Sequence, residues 1–263
     1  MKIFSHSRLS SFEQCKLKYK FRYIDKIIPD IEKTIESYLG SVVHSVLEWL
    51  YNQVKKNRIP TIDEVIVKYS EIWKAEYEEE IPIAKKQMTA GDYFNKGIQF
   101  LIDYYMKHKP FDDNTIEVEK EIIFNLDEDG KYKIKGFIDR LVYNLETEEY
   151  EVHDYKTSNN LPKQEFLDKD RQLALYSIAI KEIFGEEKKV ILIWHYLSFN
   201  QKLYSKRTDE QLKKLKQETL ELIKKIELTT EFPPKKSVLC GWCEYKQICS
   251  AFGNKPPEKQ LLL

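Results

Sequence analysis

The sequence predicts an α/β protein with a mixed central sheet flanked by helices. Three observations predict it. Apolar residues recur at helical spacing through residues 40–108, the pattern switches to alternation over 114–157, and a helix then leads into the apolar strand "KKVILIWHYLSF" at 188–199. Hairpins combined with a helical crossover give a sheet of mixed strand directions.

The elements follow in chain order. Residues 7–23 read as a helix with Ser7 or Ser10 as N-cap, and Ser10 with Glu13 fits a capping box. In "GSVVHSVLEWLYNQVKKN" (40–57), Val43, Val46, Leu47, Leu50 and Tyr51 share one helix face, and Pro60 closes the segment. Two aromatic-rich helices are expected over 62–80 and 91–108. "NTIEVEKEIIFNL" (114–126) alternates as a strand, "DEDG" (127–130) is a hairpin turn, and "KYKIKGFIDRLVY" (131–143) returns. A third strand covers 149–157, a helix 164–184, a buried strand 188–199 and a charged helix 208–227, which Pro233 and Pro234 end. One domain is expected over 1–263. It comprises N-terminal helices (1–60), a helical insertion (61–110), the sheet core (114–200), a helix (201–232) and a cysteine-rich tail (233–263).

Composition narrows the function classes. The chain has 263 residues, 42% hydrophobic, with 43 Lys+Arg against 43 Asp+Glu. A zero formal charge lacks the basic bias of a protein that coats nucleic acid, so a DNA partner would need a local basic surface. No apolar run approaches the roughly 18 residues of a membrane span. The N-terminus lacks the apolar stretch of a secretory signal, so the expected location is the cytoplasm. GxxxxGK[ST] is absent, which removes a P-loop motor from this chain.

Chemistry concentrates in "GFIDRLVY" and "EVHDYKTSNN". Strand alternation points Asp154 and Lys156 one way, and His153 and Tyr155 the other. Asp139 sits on the neighbouring strand, joined by a short turn. Two carboxylates converging at strand ends suit a divalent cation, which fills its shell with water and substrate phosphate. A nearby lysine can orient water or neutralise phosphate charge. A cross-strand salt bridge is the ordinary alternative. Glu119 and Glu121 lie on the preceding strand, within reach of such a shell. His153 and His195 read as structural.

The four cysteines are Cys15, Cys240, Cys243 and Cys249, a remote singleton and a C-x₂-C-x₅-C triplet. In a cytoplasmic chain such clusters suggest metal ligation before disulfides. Four thiolates suit a structural zinc or an iron–sulfur cluster. "KLKYKFRY" (16–23) interleaves Lys16, Lys18, Lys20 and Arg22 with Tyr19, Phe21 and Tyr23, as single-strand binders do. An amphipathic helix with core aromatics reads the same way.

"GFIDR" followed by "DYK" resembles the paired motifs of the PD-(D/E)XK nuclease superfamily. "HSRLSSFEQCKLKYKFRYI", "LGSVVHSVLEWL" and "RQLALYSIAI" are similar to further motifs of its RecB-type branch, which includes AddB and the CRISPR-associated iron–sulfur nucleases. The resemblance implies a restriction-endonuclease-like core with a C-terminal iron–sulfur segment. It implies that Asp139, Asp154, His44 and the Tyr155 carbonyl ligate Mg²⁺ or Mn²⁺, and that Lys156 activates the attacking water. Gln172 and Tyr176, one turn apart, would hold the lysine or contact DNA. Cys15, Cys240, Cys243 and Cys249 would hold a [4Fe–4S] cluster. The function implied is a single-strand DNA exonuclease in repair, recombination or defence. The alternatives are a CRISPR spacer-processing nuclease and the DNA-binding subunit of a helicase–nuclease complex, with a helicase or CRISPR protein as partner.

Overall fold

The computed structural model describes all residues except 30–32, 78–80, 84–86 and 255–263. Six strands form one mixed sheet: β1 (Lys2–Phe4), β2 (Thr115–Asn125), β3 (Tyr132–Asn144), β4 (Glu149–Lys156), β5 (Lys189–Tyr196) and β6 (Gln201–Lys206). The order is β1-β3-β4-β5-β6, with β2 on the other edge of β3. β2, β3 and β4 run antiparallel in succession, β4 and β5 are parallel across the helical crossover, and β6 returns antiparallel. The expected mixed α/β sheet flanked by helices is the observed fold.

β1 was not legible in the sequence, and it shapes the site. It pairs parallel with β3 at residues 132–134, while β4 pairs with β3 only at 140–144. Residues 135–139 of β3 therefore border a notch between β1 and β4. The stretch expected as helix over 201–232 instead opens with β6, which hydrogen-bonds along β5, and only Asp209–Leu228 is helical. Asn200, in the left-handed conformation at φ 48°, makes the turn from β5 into β6; short polar Asn tolerates that region.

Helices cover both faces. α1 (His6–Gln14), α7 (Arg171–Phe184) and α8 (Asp209–Leu228) pack one face around Leu9, Ile134, Val152, Leu173 and Ile223. α3 (Ile35–Val54), α4 (Ile62–Glu76) and α5 (Ala90–His108) enclose a second core around Val43, Leu47, Tyr69 and Leu101, which also takes in Tyr155 of β4. α4 and α5 thus buttress α3. Residues 78–80 of the helix expected over 62–80 lie outside the described residues.

Two expected helices are broken. The segment 7–23 stops at Cys15, whose backbone is extended (φ −159°, ψ 114°). It restarts as α2 (Lys16–Tyr19) and ends in a π-helical turn, Lys20–Ile24. The N-cap is neither Ser7 nor Ser10 but Ser5, whose hydroxyl accepts the Arg8 N–H at 3.2 Å. Ser10 lies inside α1 against His6 Nε2, and Glu13 pairs with Arg171. The segment 164–184 divides into α6 (Gln164–Leu167) and α7, because the Asp170 carboxylate accepts the Leu173 N–H at 3.0 Å and starts a new helix.

Candidate active site

β3 and β4 part where the expected site residues begin. Their last paired residues are Arg140 and His153, so Asp139 and Asp154 sit just past the point of separation. The Asp139 Oδ2 accepts the Tyr155 backbone N–H at 2.8 Å. From α3, His44 donates Nε2–H to the Tyr155 carbonyl at 2.8 Å, leaving its Nδ1 3.4 Å from Asp139 Oδ2. Lys156 Nζ lies 2.6 Å from Asp154 Oδ2. The structure therefore brings His44, Asp139, Tyr155, Asp154 and Lys156 together.

Glu119 joins them. His44, Glu119 and Asp139 each present a ligand atom within 4.8 Å of the others. Glu119 is in the left-handed region, φ 46°, inside β2 and close to a bulge at its start. That conformation strains a non-glycine residue and is typical of functional sites. Glu121, by contrast, pairs with Lys135 at the surface, 2.5 Å away. The strand alternation could suggest both glutamates. Only the local backbone selects between them.

Electrostatics make this a site starved of positive charge. Burial pushes the Asp154 carboxyl up to about 6; Lys156 opposes the shift and Asp139 adds to it. Burial and then the Asp139 charge raise Glu119 to about 7. Burial works against the His44 imidazolium, yet Asp139 prevails and raises it to about 9. Burial likewise opposes the Lys156 charge, and Asp154 still lifts it to about 12. Protons and ammonium here balance crowded carboxylates, the balance a divalent cation would take over. An imidazole nitrogen facing two carboxylates fits such an ion.

Tyr176 closes the floor of the notch. Its ring lies against Gly136, where an added Cβ would fall 2.4 Å from Cε1. Its hydroxyl meets the Phe137 backbone and accepts from Gln172 Nε2 at 3.3 Å. Gln172 and Tyr176 line the same cleft as Asp139.

On the opposite face of β4, His153 and His195 are buried, 2.7 Å apart. They sit beside the fully buried Arg140, which donates to the Tyr155 hydroxyl at 3.1 Å and pairs with Asp113. The network fixes the ring of the residue whose backbone organises the site.

All four cysteines are free and line one cavity between the α1–α2 break and the tail. Cys15 Sγ accepts the Lys235 N–H at 3.5 Å, and Cys240 Sγ the Ser237 N–H at 3.4 Å. Tyr245 anchors the tail, donating to the Ile27 carbonyl at 3.0 Å. Most of the "KLKYKFRY" segment serves this docking. Lys18 and Arg22 pair with Glu244, Lys20 with Asp25, and Tyr19 and Phe21 are core.

A sheet whose strands part at clustered carboxylates and a lysine defines a metal-dependent nuclease core. The PD-(D/E)XK nuclease superfamily model matches residues 3–250, and the chain belongs to that family. It is a nuclease, a phosphodiester hydrolase, and members of this superfamily use divalent metals. A crystal structure of a protein from Eubacterium rectale, provisionally described as an exonuclease, is similar in fold: TM-score 0.52 at 13% identity, covering 97% of this chain and 90% of that one. A structure of SSO0001 aligns with TM-score 0.37 at 19% identity, over 81% and 95% of the two chains. No curated protein matches the sequence. Among the described residues no helix is long and apolar enough to cross a membrane.

Proposed function

We propose that the protein is a metal-dependent single-strand DNA exonuclease acting in repair, recombination or defence. The observation that carries the reading is the meeting of His44, Glu119 and Asp139 beside the Asp154–Lys156 pair, at the point where β3 and β4 separate.

His44, Asp139, Asp154 and the Tyr155 carbonyl would hold the Mg²⁺ or Mn²⁺, with Glu119 completing the shell. The bound cation supplies Lewis-acid polarisation of the phosphate and a more acidic water. The protein groups do the rest. The Tyr155 N–H fixes Asp139, so the carboxylate cannot swing away from the cleft. Lys156 is an ammonium, held so by Asp154. Its role is to orient the attacking water and offset the negative charge that grows on phosphate oxygens. Gln172 and Tyr176 keep the notch shaped beside Asp139.

The thiolates of Cys15, Cys240, Cys243 and Cys249 would hold a [4Fe–4S] cluster that staples the tail to the first helices. The single cavity they line supports this reading. The cluster's role would be structural, and the protein would work in the cytoplasm on DNA.

End-labelled linear and circular single-stranded DNA, with duplex controls, test the proposal in Mg²⁺ and Mn²⁺. Stepwise loss from the ends of linear single strands, with circles spared, is expected. Circles cut as fast as linear strands would overturn the exonuclease assignment.

A further inference from the structure

The notch between β1 and β4 does more than expose Asp139. A cleft runs along it, lined by Arg8, His6, Phe137 and Tyr176 and ending at Asp139. Arg8 projects from the first turn of α1 and is held by neutral partners. Its Nη1 donates to the Ile3 carbonyl at 3.0 Å, its Nε to the Tyr19 hydroxyl at 3.2 Å, and its guanidinium stacks 4.3 Å over the Phe4 ring. Among the described residues no carboxylate forms an ion pair with it. The neighbouring arginines differ: Arg171 pairs with Glu13, and Arg140 with Asp113.

A half-buried guanidinium that is fixed in place and lacks a counter-ion attracts an anion from solution. Its planar fork matches phosphate oxygens. Two other observations point the same way. The Nδ1 of His6 is buried with no hydrogen-bond partner, while its Nε2 meets Ser10. Phe137 is 45% exposed and lines the same cleft as Asp139. An exposed ring beside a basic cleft is a stacking surface for a base.

We propose that this cleft is a subsite for one backbone phosphate of the DNA strand next to the scissile linkage. Arg8 is its principal ligand, His6 a second donor, and Phe137 the stacking face for the adjoining base. The proposal rests on the nuclease reading above. It adds a path for the strand, which crosses β1 and the start of α1 before reaching Asp139.

The test pairs a protein change with a substrate change. Single-stranded oligonucleotides each carry one uncharged methylphosphonate, stepped along the strand, and kcat/KM is measured for the wild type and for Arg8→Gln. The wild type should lose about tenfold at one linkage flanking the cut, the scale of one charge-assisted hydrogen bond. Arg8→Gln should lose about tenfold on unmodified DNA, mainly in KM, and nothing further on that modified strand. Its salt dependence should fall by about 0.7 in slope, one phosphate's share for single strands. A general weakening of the fold would move neither the linkage position nor the slope. Should Arg8→Gln not fold, Arg8→Lys keeps stem and charge, and its smaller loss must centre on the same linkage. Losses that add, or the absence of any sensitive flanking linkage, would overturn the subsite and leave the nuclease reading intact. A wild type that cuts no DNA in Mg²⁺ or Mn²⁺ overturns both.

Discussion

Asp139 Oδ2 accepts the backbone N–H of Tyr155 at 2.8 Å, across the gap where β3 and β4 cease to pair. One peptide of β4 thus replaces a lost ladder hydrogen bond with a bond to a carboxylate. The carbonyl of the same residue takes the His44 Nε2–H. The open edge of β4, the Asp139 carboxylate and α3 are locked through Tyr155, so the metal choice proposed above, pH and stability are linked here.

The metal choice comes first. Imidazole ligands suit Mn²⁺ better than Mg²⁺. Mn²⁺ should therefore support faster cleavage than Mg²⁺, by several-fold, and His44→Ala should narrow that ratio toward one. Initial rates in matched concentrations of the two ions check it. An unchanged ratio in His44→Ala would remove the histidine from the shell.

A second prediction concerns pH without divalent metal. His44 is raised to about 9 and Glu119 to about 7, so the folded state holds protons that the unfolded chain releases. Stability contributed this way is present below the unfolded values and is lost as pH rises through the folded ones. Between pH 6.5 and 9 the metal-free protein should lose a few degrees of melting temperature. His44→Asn should flatten that fall. Thermal melts across the window in EDTA decide it, and an equal slope in the variant would contradict it.

Much of this site was readable before the fold was known, and the reasons are local. The hairpins around "GFIDR" and "DYK" carry their register in alternation and turn residues, and His44 sits on an unmistakable helix. What stayed hidden depends on pairing between distant segments. Three residues at the N-terminus carry no period, yet β1 sets one wall of the notch. Cys15 looks helical by pattern, but its extended backbone ends α1. Glu119 could not be separated from Glu121 without its left-handed backbone.

The third prediction concerns the cysteines. Anaerobically purified protein should be brown, with broad absorption near 400 nm as the family resemblance implies. Changing any one of Cys15, Cys240, Cys243 or Cys249 to Ala should lower iron content and lower the melting temperature by several degrees, since the link closes nearly the whole chain. Metal analysis beside the melts checks both. One zinc per colourless chain would refute the cluster while leaving the shared cysteine cavity in place.

The central claim is that Asp139, Asp154 and Lys156 perform the hydrolysis, and Lys156→Ala tests it most directly. The side chain is one-third exposed and Lys156 belongs to neither hydrophobic core, so the variant should fold. Cleavage of end-labelled single-stranded DNA in Mn²⁺ should fall by about a thousandfold, the upper range for losing one electrostatic group at the reacting centre. Folded Lys156→Ala that cuts at near wild-type rates would contradict the account.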